Sequence, residues 1–299
     1  MKKKVSIVIP TYGRSDLISK AIESVINQSY ANKEIVVIDD NVDDVISERT
    51  REVVLSFKDK IDIKYVKNAH NIGGALSRNE GINQSAGEYV SFLDDDDFFV
   101  PEKLSRQIEF MEKFNFEASL CDMRVIDENG NLTKKIHHAQ CNNAADFLIR
   151  GVAMTPMLIV TKFAAIKAGL FENSVRFQDH IFIINLLKAG YEVGVLKEPL
   201  VYYYEHSSPR ITNSNKSALG YDVRFEKEKE LFPLLTPNEK RSVILRHNII
   251  RSKIICAEKG SAKAVVFLFK LLVKVRNISD FVAWSKALAR NVIKKNKRF

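Results

Sequence analysis

Residues 74–97 read GALSRNEGINQSAGEYVSFLDDDD. Two signals follow one another in this stretch. Gly74–Gln84 reads as a helix. Beyond the break at Gly87, Glu88–Leu93 reads as a strand that is apolar along most of its length, as buried strands are. That strand runs straight into four adjacent carboxylates, Asp94, Asp95, Asp96 and Asp97, and then into Phe98 and Phe99. Like charges repel, and carboxylates beside apolar surface are costly unless paired or bound to a cation. Four of them at the end of a buried strand predict a cation site rather than a solvated loop.

The same alternation continues outward from that stretch. Towards the N-terminus, Val5–Pro10 and Glu34–Asp39 (EIVVID) are β-rich, and Ile61–Val66 is a third strand. Between them, a helix from about Ser15 puts Leu17, Ile18, Ala21, Ile22, Val25 and Ile26 on one face, and a polar helix covers Val45–Phe57. Strands and helices at this spacing predict βαβ units on a parallel sheet. After Pro101 the order loosens. A helix over Pro101–Phe114, strands at Ala118–Ile126, Met157–Val160 and Tyr191–Leu196, a turn at 128–131 and a helix over Asp179–Ala189 predict a mixed sheet with irregular loops. Thr236-Pro237-Asn238-Glu239 has the residues of a capped helix start, with proline at the first helical position. It divides the chain into an α/β body, 1–235, and a helical appendage, 236–299, with helices at 237–258, 261–276 and 279–295.

Charge divides the chain near the same place. The 299 residues carry a formal net charge of +9. From Lys240 onward there are 16 Lys and Arg against 2 Asp and Glu, a net of +14, which leaves the remainder at −5. The last two helical stretches are amphipathic. Lys263, Lys270 and Lys274 share one stripe, while Lys286, Arg290 and Lys294 recur beside Phe281, Trp284 and Leu288. A basic stripe, an apolar face and a tryptophan suit a helix lying on an anionic membrane surface, and they equally suit a subdomain with solvated lysines. No nucleic-acid recognition motif accompanies the charge. Three widely spaced cysteines predict a reducing compartment, and Cys141 near His137 and His138 lacks the second ligand pair of a zinc site. The N-terminal apolar run is too short for a signal peptide, and no stretch reaches the roughly 18 apolar residues of a membrane span. The expectation is a cytoplasmic protein, peripheral on the inner face of the membrane.

In open α/β sheets ligands bind beyond the carboxyl ends of the strands. Strand one runs into Pro10-Thr11-Tyr12-Gly13-Arg14, strand two ends in Asp39-Asp40, and strand three leads to Asn68–Gly74, which includes Asn71 and Gly73. Strand four ends in the aspartates. Together these termini supply acceptors for a base and ribose, an arginine for phosphate, and carboxylates for a divalent cation. Neither a G-x-G-x-x-G turn nor a G-x-x-x-x-G-K-[ST] loop is present, so carboxylate-held Mg²⁺ or Mn²⁺ is the natural partner for phosphate.

Four stretches together resemble family 2 glycosyltransferases, which have the GT-A fold. They are VSIVIPTYGRSDLISKAIESVINQSY, EIVVIDD, NIGGALSRNEGINQSAGEYVSFLDDDD and FQDHIFIINLLKAGYEV. The third resembles the N-x-G-x-x-x-A-R-N-x-G block leading into D-x-D, with Ser77 in place of the alanine. Leu93 and Pro101-Glu102-Lys103-Leu104 set the frame, which selects Asp94 and Asp96 from the four. The resemblance implies that Asp96 ligates the cation directly and that Asp94 addresses ribose or metal-bound water. Asp95 occupies the variable position of this nucleotide-contacting run. Asp97 caps the following helix or faces the acceptor. Asp95 and Asp97 are therefore the two expected to tolerate substitution. Asp39 accepts from the nucleobase beside Thr11, Arg78 lies near the nucleotide or organises the D-x-D loop, and His206 touches the diphosphate or metal. Asp179 is the implied general base, preceded here by Gln178 where the family has glutamate.

The implied activity is inverting transfer of one sugar from a nucleotide-sugar, a UDP-sugar by frequency in similar enzymes, to a glycan or lipid-linked acceptor. The absence of Gln-x-x-Arg-Trp argues against processive synthesis. A sugar-phosphate nucleotidylyltransferase is the alternative enzyme class, but it would have a glycine-rich, arginine-containing loop where this chain has TYGR. A non-catalytic nucleotide-sugar-binding partner is a third reading, opposed by the intact D-x-D and Asp179.

Overall fold

The run VSIVIPT forms β1 (Val5–Thr11), and every residue of it except Pro10 is buried. The computed structural model describes residues 2–127, 129–174, 176–205, 217–276 and 278–293. The chain forms two compact units: Met1–Asn143 with Gly151–Ser208, and Ala144–Arg150 with Pro209–Phe299.

The first unit begins with the expected alternation. After β1 come α1 (Ile18–Ile26), β2 (Lys33–Asp39), α2 (Asp44–Leu55), β3 (Ile63–Lys67), α3 (Gly73–Gln84) and β4 (Tyr89–Phe92). These four strands are parallel, in the order β3-β2-β1-β4. Strands β1 and β2 are covered on both faces, which is why their sequences are apolar throughout rather than alternating. The chain winds outward from β1 to β3 and then returns to the other side of β1 for β4. The winding therefore reverses between β1 and β4, where a doubly wound sheet opens a crevice.

Helix α3 packs closely against β1. A Cβ on Gly81 would lie 2.2 Å from Val8 Cγ1, so only glycine fits at that position.

Beyond β4 come β5 (Phe98–Phe99), α4 (Lys103–Phe114), β6 (Ala118–Ile126) and β7 (Leu132–His137). The chain then passes through α5 (Ala144–Arg150), which belongs to the second unit, to β8 (Leu158–Thr161), α6 (Lys162–Lys167), α7 (Gln178–Lys188) and β9 (Val193–Tyr204). The sheet continues β4-β8-β6-β9-β5, with β7 on β6. Strand β8 is antiparallel to both β4 and β6, β6 and β9 are parallel, and β5 is antiparallel to β9. The second half is thus the mixed sheet anticipated from the looser pattern.

Several boundaries differ from the sequence reading. Helix α1 starts at Ile18, because Ser15–Leu17 form a turn. Strand β9 runs on to Tyr204, held by β6 along one edge and β5 along the other. Strands β5 and β7 and helices α5 and α6 were not anticipated.

The second unit adds α8 (Ser217–Lys229), also not anticipated, α9 (Pro237–Lys259), α10 (Ser261–Leu271) and α11 (Ile278–Ile293). Thr236 caps α9 as its sequence suggests. Its hydroxyl accepts the Glu239 N–H, and the Glu239 carboxylate accepts the Thr236 N–H at 2.8 Å. Leu245, Ile249, Leu268, Leu271, Trp284 and Ala287 form the core of this unit. Trp284 is buried, and its Nε1 donates to the Leu268 carbonyl at 2.7 Å. Of the two arrangements open to the tryptophan in the sequence, the structure has the packed one: the indole faces inward, where its N–H meets a backbone partner. Among the described residues no helix is long and apolar enough to cross a membrane.

Candidate active site

The loops that follow β1, β2 and β4 meet at the reversal point. The four aspartates after β4 form a tight turn, with the Asp97 N–H donating to the Asp94 carbonyl at 3.0 Å. Their side chains then diverge. Asp94 is the most exposed, about a third open, and accepts Arg78 Nη2 at 2.6 Å. Asp95 is 3% exposed; it accepts Thr11 Oγ1 at 2.7 Å and Arg14 Nη1 at 2.9 Å. Arg14 Nη1 also lies 2.9 Å from Asp96 Oδ2. Asp97 is buried and accepts the backbone N–H of Tyr204, at the end of β9, at 3.1 Å.

Burial pushes the Asp95 carboxyl up to about 6, against the opposing pull of Arg14 and Thr11. The expectation that Asp95 and Asp97 are the tolerant pair is therefore corrected. Both are packed into the protein, and each anchors a different strand end. Asp97 ties β9 to this turn, and the next helix begins only at Lys103.

The end of β2 builds a second cluster. Asp39 is fully buried. Its Oδ1 accepts the backbone and side-chain N–H groups of Asn41 at 2.9 and 2.6 Å, and its Oδ2 accepts the Tyr65 hydroxyl at 2.5 Å. Burial, and then Asp39 itself, hold the Tyr65 hydroxyl well above its ordinary value. Asn41 Oδ1 accepts the Gly13 N–H at 2.5 Å, closing the loop after β1 onto the loop after β2.

Asp40 organises the start of α3. Its carboxylate accepts Asn68 Nδ2 at 2.8 Å and the N–H groups of Ile72 and Gly73 at 2.9 and 2.8 Å. Asn71 Nδ2 donates to the Asp40 carbonyl at 3.2 Å. Asn71 and Gly73, expected to contact the nucleotide, are thus part of the frame that Asp40 holds. Gly73 sits at φ +81°, a left-handed conformation that glycine adopts without strain. Asp40, Asn41 and Tyr65 were missed as site residues. The adjacent Asp39-Asp40 pair was the available signal for Asp40, but Tyr65 becomes significant only through pairing of β3 with β2. Pro10 lies within β1, and Tyr12 is exposed at the mouth of the loop.

Arg78 joins the aspartate turn to α7. The guanidinium is buried, donates Nη2 to Asp94, and donates Nη1 to Gln178 Oε1 at 3.3 Å. Its Nε finds no partner among the described residues. Arg78 is thus no solvated charge on the outer face of α3, and it holds the aspartate turn. Gln178 also donates Nε2 to the Ser174 carbonyl at 2.9 Å. Phe177, immediately before α7, adopts φ 62° and ψ 30°, a left-handed conformation rare for a bulky residue. Outliers of this kind concentrate at functional sites.

Aromatic packing holds the same corner. Phe171 meets Phe92 of β4 edge-on at 5.1 Å and stacks on Phe182 of α7 at 4.2 Å. Asp179, in the first turn of α7, accepts the His180 N–H at 2.7 Å. His206, read from sequence as a metal or diphosphate contact, lies outside the described residues.

A sequence profile for glycosyl transferase family 2 matches residues 6–174. The chain belongs to that family. An uncharacterized glycosyltransferase of Rickettsia felis is 42% identical over 219 residues, covering 73% of this chain and 36% of that protein. The chain spans about a third of the length of the first Rickettsia relatives it matches, 31%, 36% and 35%. The Escherichia coli UDP-Glc:alpha-D-GlcNAc-diphosphoundecaprenol beta-1,3-glucosyltransferase WfgD is 37% identical over 130 residues, 44% of this chain and 49% of that one.

Among solved structures, residues 1–349 of S. aureus TarS in complex with UDP-GlcNAc align with a TM-score of 0.70 at 18% identity, covering 97% of this chain and 80% of that one. The mannosyltransferase PcManGT from Pyrobaculum calidifontis, in complex with GDP-Man and Mn²⁺, aligns with a TM-score of 0.58 at 15% identity, covering 99% and 89%. The family 2 chain described here has the GT-A fold with added C-terminal helices. Its family sets aside the nucleotidylyltransferase alternative.

Proposed function

We propose that this glycosyltransferase moves one sugar, with inversion, from a nucleotide-sugar to an acceptor hydroxyl in the assembly of a cell-surface polysaccharide or glycolipid. We take residues 1–235 as the transfer domain and 236–299 as a basic helical appendage. One observation carries the reading: Arg78 spans from Asp94, beyond β4, to Gln178, at the head of the helix that bears Asp179. A carboxylate suited to the donor side and a carboxylate suited to deprotonating an acceptor are thereby linked through one buried side chain.

In this reading Asp179 takes the acceptor proton as the hydroxyl attacks the anomeric carbon from the face opposite the diphosphate. Asp39, Thr11, Tyr12 and Pro10 border the base and ribose, Arg14 and Arg78 hold the acidic turn in place, and Gln178 fixes the guanidinium of Arg78. The donor set suits a hard divalent cation. Asp94 and Asp96 offer carboxylate oxygens, and no cluster of three or more His, Cys, Asp or Glu ligands occurs among the described residues. Mg²⁺ and Mn²⁺ are met in this way, by one or two carboxylates with the remaining ligands from phosphate and water. A cation held there would neutralise charge on the departing diphosphate.

A UDP-sugar donor and a lipid-linked acceptor are supported by the likeness to WfgD, a UDP-Glc:alpha-D-GlcNAc-diphosphoundecaprenol glucosyltransferase. The test is a panel of UDP- and GDP-sugars screened by thermal shift with and without Mn²⁺, followed by nucleoside-diphosphate release and product stereochemistry. A Mn²⁺-dependent shift with one donor class and an inverted product is expected. A retained anomeric configuration, or release of pyrophosphate instead of a nucleoside diphosphate, would overturn the reading.

A further inference from the structure

The helical unit exposes apolar side chains around its buried tryptophan. Val266, Phe269, Val273, Ile278, Phe281 and Val282 lie on its surface, with Val273 76% and Ile278 83% exposed. The Phe269 and Phe281 rings sit 5.8 and 6.0 Å from the Trp284 ring, which places these two phenylalanines over the packed core, with the other four near them in sequence. Exposed apolar side chains at this density on three neighbouring helical turns point to an interaction site.

The rim is cationic. From Lys259 to Ile293 there are seven Lys and Arg and a single acid, Asp280. Asp280 is turned inward, where it accepts the Arg276 N–H at 3.3 Å and the Ser242 hydroxyl at 3.4 Å. Lys270, Arg276 and Lys286 stand in solvent next to the apolar residues. A second copy of this chain would set these like charges against one another. An anionic lipid surface matches both the apolar centre and the positive rim.

We infer that this patch docks the protein on an anionic bilayer, with Phe269, Val273, Ile278, Phe281 and Val282 entering the headgroup boundary. Trp284 supports the patch from beneath and does not itself insert. The inference goes beyond the transfer reading and does not depend on it, because docking requires no donor.

The test is flotation of the full chain with phosphatidylglycerol–phosphatidylcholine vesicles and with phosphatidylcholine vesicles alone, without nucleotide-sugar. Binding is expected only to the anionic vesicles and should weaken as salt rises. Each Lys near such a surface is worth about fivefold in partition, so Lys270→Glu with Lys286→Glu should weaken binding at least about 25-fold. Val273→Asp with Ile278→Asp should abolish it while leaving the melting curve unchanged, since both side chains are exposed. The salt response of the unmodified protein supplies a test free of any folding effect. Equal binding to neutral vesicles, no response to salt, or binding untouched by either double variant would overturn the inference. So would concentration-dependent self-association that Val273→Asp with Ile278→Asp removes, since that assigns the face to a second copy. Loss of vesicle binding with transfer to a soluble acceptor intact would separate this patch from the site at the aspartates.

Discussion

Replacing Asp95 with asparagine removes a charge while keeping the shape of a side chain that is 3% exposed. The folded carboxyl titrates at about 6, raised by burial, against about 3.9 for an aspartate in an unfolded chain. The gap of about 2 units is worth about 3 kcal/mol at 1.36 kcal/mol per unit. Because the folded value is the higher one, the folded state holds the proton more tightly between about pH 4 and pH 6. The stabilising contribution is complete below about pH 4 and is lost as pH rises through 6.

Asparagine has no such proton. The stability of the native chain minus that of Asp95→Asn should therefore fall by about 3 kcal/mol from pH 4 to pH 7. The Arg14 ion pair forms only as Asp95 ionises and is already contained in the folded value of about 6, so the slope measures the net cost of ionising the buried carboxyl beside Arg14. Urea unfolding followed by near-ultraviolet circular dichroism, with EDTA and without nucleotide, measures it. A difference that stays flat across that range would refute the claim that Asp95 is ionised at a cost, and with it the idea that Arg14 and Thr11 only partly offset its burial.

Asp179→Asn should lower transfer by about 10²–10⁴-fold with donor affinity preserved, as read by turnover and by thermal shift with the donor; near-normal turnover would reassign the base. Arg78→Met breaks the hydrogen bonds to Asp94 and Gln178, the first of which is charge-assisted and worth about 1.5–3 kcal/mol. It should weaken nucleotide-sugar binding and lower kcat together, whereas Arg78→Lys should restore part of the first and little of the second. Gln178→Glu removes the donor to the Ser174 carbonyl and sets a second carboxylate beside Arg78, so competition with Asp94 should appear as a change in cation affinity by calorimetry. Gly81→Ala drives a methyl group into Val8 and should destabilise the sheet unit by about 1–3 kcal/mol, read as a lower melting temperature.

The parallel half of the fold was legible because β1, β2 and β4 are buried on both faces and carry runs of apolar residues that need no partner to be recognised, while the half-exposed β3 follows from the alternation around it. The same holds for the start of α9, where Thr236, Pro237 and Glu239 act within one turn. What escaped depends on distant partners. Strand β7, LTKKIH, is polar and largely exposed, and it is a strand only because it pairs with β6. Strand β5 is two residues long and is defined by its pairing with β9. In the aspartate run, local sequence placed the carboxylates at the site but could not rank them. Asp95 is set apart by Thr11 and Arg14, more than 80 positions earlier, and Asp97 by Tyr204, 107 positions later. The setting of Trp284 stayed open for a related reason: helical spacing marks a face as apolar without saying whether another helix already covers it.

The placement of Trp284 also gives the chain a built-in probe. It is the sole tryptophan in 299 residues, and it is sealed in the helical core with its indole N–H bonded to Leu268. Fluorescence excited at the red edge of protein absorption therefore reports the loosening of α9, α10 and α11, while the sheet bearing the aspartates stays dark. The tyrosines are concentrated in that sheet unit, eight of the nine lying between Tyr12 and Tyr204. Two emission channels on one unlabelled sample can therefore time the melting of each unit separately.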